Sequence, residues 1–203
     1  MSYEKCSDVN QEFWEELRQS DPEEVIARTG AVFRDGRYHL SFLQRELVVD
    51  PVAGRLEVAG MPGTDPGFRL CLTALLYLLR LDIRSLGPLL SPLEFSGGAT
   101  FFRGHHGLPH APLKERFGRD AAGFRAAGER LQGEKGNAGD AAVAMQVFPG
   151  LVVEVIIWQG DEEFPPEVTF ALPAHLDHFW HLDAVWGLLN LVAQEMLQAG
   201  MGE

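Results

Sequence analysis

The sequence predicts an α+β fold: a single domain whose mainly antiparallel sheet, built from N- and C-terminal strand clusters, has helices packed over it. Three observations predict it. Apolar residues alternate with period two in two separate clusters, residues 31–60 and 138–172. Helical periodicity fills the stretches before, between and after them. Short turns such as "DPVAG" and Pro149-Gly150 join the strands, which suits antiparallel pairing. The 203 residues suit one domain spanning 1–203, with an N-terminal helical segment over 1–30 and an α+β body over 31–203. A composition of 46% hydrophobic and 23% charged residues leaves no segment too polar to fold.

The elements follow in order. Phe13, Leu17, Val25 and Ile26 mark helix from Asp8 to Ala27. Pro22 after Ser20-Asp21 opens a second helical piece, and Gly30 stops it. "YHLSFL", "ELVVD" and "RLEVA" form a meander in which His39 lies on the polar face. "GMPGTDPG" is a loop by its Gly and Pro content. Phe68 to Leu81 is a buried helix, and a second short helix follows around Ile83 to Leu90, broken at Gly87-Pro88. Residues 112–132 are one or two helices marked by Phe117, Phe124 and Leu131, and "QGEKGNAGD" is a polar loop. "AVAMQVF" and "LVVEVIIW" are strands. The second is so continuously apolar that it is expected to be covered on both faces, with Glu154 as its exception. "EVTFAL" alternates as a further strand. Leu182, Val185, Trp186, Leu189, Val192 and Met196 then mark a final amphipathic helix.

Charge excludes one function class. The net charge is −12, unevenly spread: residues 103–135 carry seven bases and four acids, whereas no Lys or Arg follows Lys135 and ten acids do. An acidic bulk repels phosphate backbones, so no nucleic-acid partner is expected. The basic segment, with Arg103, Lys114, Arg116, Arg119 and Arg125, either steers an anionic ligand or forms a solvated helix face. Nor is a membrane partner expected. The most apolar run, Phe68 to Leu81, carries Arg69 and Arg80 and falls short of the roughly 20 residues a span needs. "MSYEKCSDVNQEFWEELRQ" has no apolar core of a secretory signal. Cys6 and Cys71 match no metal spacing. Cys71 is read as a buried core thiol and Cys6 as exposed. No disulfide framework is expected, and a reducing cytoplasm fits best.

The densest stretch in useful side chains is "FSGGATFFRGHHGLPH", residues 95–110. It has neither the Lys-Ser/Thr of a Walker loop nor a GxGxxG fingerprint. Gly97-Gly98 are expected to permit positive φ in a tight turn, with Phe101-Phe102 anchoring it. His105, His106 and His110 raise a metal site, with His106 and His110 as the candidate ligands. A second trio, His175, His178 and His181, spans one sector if helical, and Asp177 and Asp183 could complete a shell. The spacing matches no metal signature, and capping or hydrogen bonding accounts for such histidines as well. Asp161, Glu162 and Glu163 crowd together, as paired carboxylates for acid–base work or as a solvated hairpin loop. There is no GxSxG elbow and neither cysteine is visibly activated.

"GGATFF", "HHGLPHAPLKERFG", "GDAAVAMQVFPGLVVEVIIWQGDEEFP" and "LDAVWGLLN" in this order resemble the domain-of-unknown-function family 3786, found mainly in anaerobic bacteria and archaea. Its most specific element is carried by Trp158, Gly160, Asp161, Glu162, Glu163, Phe164 and Pro165. The resemblance implies cytoplasmic work in anaerobic redox or cofactor metabolism and names no reaction. Some relatives add a cysteine-rich iron–sulfur segment that this chain lacks, so iron–sulfur binding is not carried over and no cofactor is named. The shared motifs include polar connections, where function usually lies. The candidate ligand-binding set is therefore Gly97, Gly98, Arg103, His105, His106, His110, Glu154, Trp158, Asp161, Glu162 and Glu163, with both loops expected to border one pocket. One reading is a non-catalytic accessory protein that holds a small molecule or docks on a redox or cofactor-metabolism partner. The other is a small metal-assisted enzyme using His105, His106 and His110 with Asp161, Glu162 and Glu163.

Overall fold

Caps written in the sequence set the first helices of the computed structural model, which describes residues 4–201. After a 3₁₀ turn at Cys6–Asp8, Asn10 accepts the amide of Glu12 and opens α1 (Gln11–Gln19), which buries Trp14 and Leu17. Asp21 does the same for α2 (Pro22–Thr29), which ends on Gly30 at φ 71°. The alternating stretch then gives β1 (Val32–Arg34), β2 (Arg37–Phe42), β3 (Arg45–Asp50) and β4 (Arg55–Val58), an antiparallel meander in that order. Tyr38 and Leu40 face Val49 and Leu47 on its buried side. His39 sits on the other face, its Nδ1 3.1 Å from Glu46.

α3 (Phe68–Arg80) follows as expected. The helix expected around 83–90 is corrected to a 3₁₀ turn at Ile83–Ser85 and a short strand, β5 (Leu89–Leu90). Pro88 cannot donate within a helix. Its carbonyl instead accepts the Ala174 amide, and Gly87 donates to the Ala174 carbonyl. α4 (Gly98–Phe101), α5 (His110–Phe117) and α6 (Ala121–Arg130) come next. The polar loop holds a two-residue strand, β6 (Glu134–Lys135), before β7 (Ala141–Phe148), β8 (Leu151–Trp158) and β9 (Glu167–Pro173). α7 (Leu176–Phe179) and α8 (Leu182–Met201) complete the described chain.

Strand clusters from both halves and helices packed over them make an α+β domain, with one refinement. The clusters form a sheet each, β1-β2-β3-β4 and β5-β9-β8-β7-β6, rather than one continuous sheet. They meet where the Leu43 amide donates to the Val147 carbonyl. One apolar core runs from Val9 to Met196. At its centre Tyr77 of α3 stacks on Phe148 of β7 at 4.8 Å. The Tyr77 hydroxyl reaches the carbonyls of Thr29 and Pro149, so α2, α3 and the β7–β8 turn meet at one oxygen.

Two further expectations are corrected. β8 is not covered on both faces: Leu151, Val153, Val155 and Ile157 are buried, while Val152, Glu154 and Ile156 are half-buried. Helices pack on one side only, so a continuous apolar run resolves into alternation. The cysteines, read as unpaired, form a disulfide, Cys6–Cys71, with Cα atoms 5.3 Å apart. A sequence separation of 65 hid the pairing, which arises because the first turn lies along the start of α3.

The basic segment also finds a structural use. α8 has no basic residue in its last turn, so its terminal carbonyls lack the usual local cations. Arg130 of α6 donates to the Ala199 carbonyl at 2.6 Å, and Arg116 of α5 to the Gly200 carbonyl at 2.8 Å. No helix among the described residues is long and apolar enough to cross a membrane.

Candidate functional site

α3 was expected to be buried, yet Phe68, Leu72 and Leu76 stay half-exposed. Their spacing of four puts them on one helix face. That face floors a cleft of about 750 Å³ between the N-terminal segment, α3 and the α7–α8 corner, with Phe13 and Phe179 as further apolar walls. A second cavity of about 390 Å³ adjoins it and shares Phe68, Leu72, Asp183 and Ala184.

The rim is polar, and most of its charges are already engaged. Asp8 accepts the amides of Lys5 and Glu4, which hold its carboxyl below the usual range. Arg80 forms a bidentate pair with Glu16 and holds that carboxyl low as well. Asp177 accepts the Ser96 amide at 3.0 Å. His178 and His181 remain exposed at the rim, and imidazole can donate on one nitrogen and accept on the other. Asp183 uses one oxygen on the Ala184 amide. In the adjoining cavity Trp186 is covered by the Arg69 guanidinium at 5.3 Å and met edge-on by His106 at 5.6 Å. Trp186 Nε1 donates to the Gly107 carbonyl. An apolar floor with a few convergent polar groups is the usual composition of a small-molecule site.

The residues expected from sequence are distributed as follows. Gly97 takes φ 77°, as a tight turn requires, whereas Gly98 opens α4 and lies so close to the Pro92 carbonyl that a Cβ would collide with it. Phe102 is buried; Arg103 and His105 are exposed. His106 stacks on Phe101 at 4.5 Å and reaches the smaller cavity. His110 turns away to stack on Phe170 of β9, leaving its Nε2 buried without a partner. Burial, then the nearby Lys114, pulls its pKa below the ordinary imidazole value. Glu154 sits mid-strand on the half-covered face of β8, opposite Ala144 and Ala171 and tight against Gly136. Trp158, 41% exposed, ends that strand. Asp161 accepts the amides of Phe164 and Glu163, which lower its pKa, and Glu162 and Glu163 face solvent.

The two loops are therefore not drawn round one cavity. Residues 105–107 lead into the N-terminus of α5. The acidic loop is bound beyond the other end, where the Gly160 amide donates to the Gly118 carbonyl. Eight helical residues, about 12 Å, lie between. Neither cavity bordering the cleft includes a residue of 159–165. The second histidine trio is not on one helix either: His175 precedes α7 at φ 70° and His181 follows it. Among the described residues no group of three or more His, Cys, Asp and Glu is gathered to hold a metal ion. Sequence reasoning missed Phe13, Phe68, Leu72 and Leu76. For the three on α3, the only signal was the helix's apolar character over most of its surface.

Fold and site together define a small α+β domain with an open amphipathic cleft beside its helix α3. The chain belongs to the family described as domain of unknown function DUF3786, whose profile matches residues 21–195. No curated protein and no solved structure matches it.

Proposed function

We propose that the protein is a non-catalytic accessory protein that holds a small amphipathic molecule in the cleft along α3. The observation that carries this reading is the half-exposed stripe of Phe68, Leu72 and Leu76 under a 750 Å³ space, rimmed by His178 and His181. An elongated or planar apolar body would cover the stripe, and a polar end would meet the imidazoles. The enzyme reading has less support, because His105 and His106 precede α5, His110 turns from its first position onto Phe170, and the acidic loop is bonded beyond its other end. A redox or cofactor-metabolism partner and a cytoplasmic location, with neither nucleic acid nor membrane engaged, complete the proposal. One observation favours docking as a second mode: Phe164 is 66% exposed in a loop fixed by Asp161, beside Glu162 and Glu163.

The test uses 1-anilinonaphthalene-8-sulfonate, a small aromatic amphiphile, titrated by fluorescence. Leu72 borders both cavities, so Leu72→Trp fills the floor. The variant is expected to bind the dye at least tenfold more weakly at unchanged thermal stability. Equal affinity in both proteins would refute the reading.

A further inference from the structure

We infer that the Cys6–Cys71 bond is a thiol–disulfide exchange site that latches residues 4–8, which end at Asp8 on the cleft wall, and that a dithiol reductant releases it. The inference rests on the cleft reading for its consequence, though not for the latch itself.

Position carries the argument. Cys71 is fully buried on α3, three residues after Phe68 and one before Leu72, both of the cleft floor. Cys6 lies half-buried on the 3₁₀ turn that ends in Asp8, and Asp8 and Asn10 line the opposite wall. The bond thus ties wall to floor. Beside it, the turn is tied to the start of α3 through the Phe68 amide on the Glu4 carbonyl and the Cys6 amide on Asp65, the latter exposed to solvent. Solvent-exposed hydrogen bonds open at low cost. Past the turn, Val9 is buried in the core, and α1 is anchored independently by buried Trp14 and Leu17 and by the Arg80–Glu16 pair. Opening the bond therefore loosens the segment before α1 and leaves the helices in place.

Access sets the order of exchange. A thiolate of the dithiol attacks the more exposed Sγ of Cys6, and the Cys6–Cys71 bond breaks. Cys71 leaves as a thiolate and takes a proton from water. The second thiol of the reductant, deprotonated, attacks its own sulfur in the mixed disulfide. Cys6 is released as a thiolate and is protonated in turn. Two electrons pass to the protein, and the dithiol becomes a cyclic disulfide. A disulfide in a reducing compartment is usually of this responsive kind.

The experiment compares oxidised protein, dithiothreitol-reduced protein and Cys6→Ser, with alkylation and mass measurement reporting the thiols. Hydrogen exchange of residues 4–8 is expected to rise at least tenfold on reduction, while the amides of α1 and α3 keep their protection. Dye affinity at the cleft should fall at least fivefold, and Cys6→Ser should match the reduced protein with or without reductant. Doubly alkylated protein with unchanged exchange at 4–8 would overturn the latch. Loss of protection across the whole chain would also overturn it, because the bond would then be a global staple. Loosening at 4–8 with dye binding insensitive to Leu72→Trp would uphold the latch and sink the cleft reading separately.

Discussion

Removing one oxygen from the core tests how α2, α3 and the β7–β8 turn are joined. The Tyr77 hydroxyl lies against the Thr29 carbonyl and, at 2.8 Å, against that of Pro149. Thr29 is the last residue of α2, so its carbonyl has no partner further along the helix. Tyr77→Phe keeps the ring and its stack on Phe148, and so creates almost no cavity. What it removes is a hydroxyl donor shared by two interior carbonyls. A buried acceptor left without its donor costs about 1–3 kcal/mol. The middle of that range, about 2 kcal/mol, corresponds to a fall in Tm of roughly 4–8 °C for a chain of this size. Urea unfolding should show a lower midpoint with an unchanged slope, because the surface exposed on unfolding is the same. Tyr77→Leu, which also loses the stack, should be clearly worse. A Tyr77→Phe variant within about 0.5 kcal/mol of the parent, the range of an unremarkable surface change, would refute the idea that this oxygen joins the three elements.

Other perturbations read other parts of the molecule. Gly98→Ala places a Cβ on the Pro92 carbonyl, a backbone atom that cannot swing aside, and should cost about 1–3 kcal/mol in denaturant unfolding. His110 is held neutral by burial, so its folded pKa lies below the roughly 6.5 of the unfolded chain. Stability should therefore be lost as pH falls through that value, and His110→Phe should flatten the profile between pH 7 and 5. Asp161 runs the other way: its depressed pKa means that the loop is held above the ordinary carboxylate range and released in acid. Asp161→Ala should speed amide exchange at Glu163 and Phe164 at neutral pH.

What the sequence made legible was local. Asn10, Asp21, Pro22 and Gly30 sit where caps and stops act within a few residues, and the α1–α2 boundary follows from them. Strand alternation around Tyr38, Leu40 and Phe170 needs only the residue's own neighbours. What stayed hidden depended on partners far along the chain. Leu89-Leu90 become a strand because Leu172 and Pro173 offer an edge. Cys6 finds Cys71 only once the first turn lies on α3. The cleft was half visible: its rim histidines and aspartates stood out by residue type. Its floor of Phe68, Leu72 and Leu76 looked like core, because apolar periodicity does not say which stripe of a helix the fold leaves uncovered.

The arginines that close α8 give the uneven spread of charge a meaning for assembly. Arg116 and Arg130 supply cations that the last 68 residues of the chain do not contain. The C-terminal piece is an incomplete electrical circuit, and the stretch before it carries the missing terminal. A protein cleaved in the exposed loop after Lys135 should therefore yield two halves that recognise each other. Mixed at low salt they should recombine, with α8 regaining its helicity only when the basic half arrives.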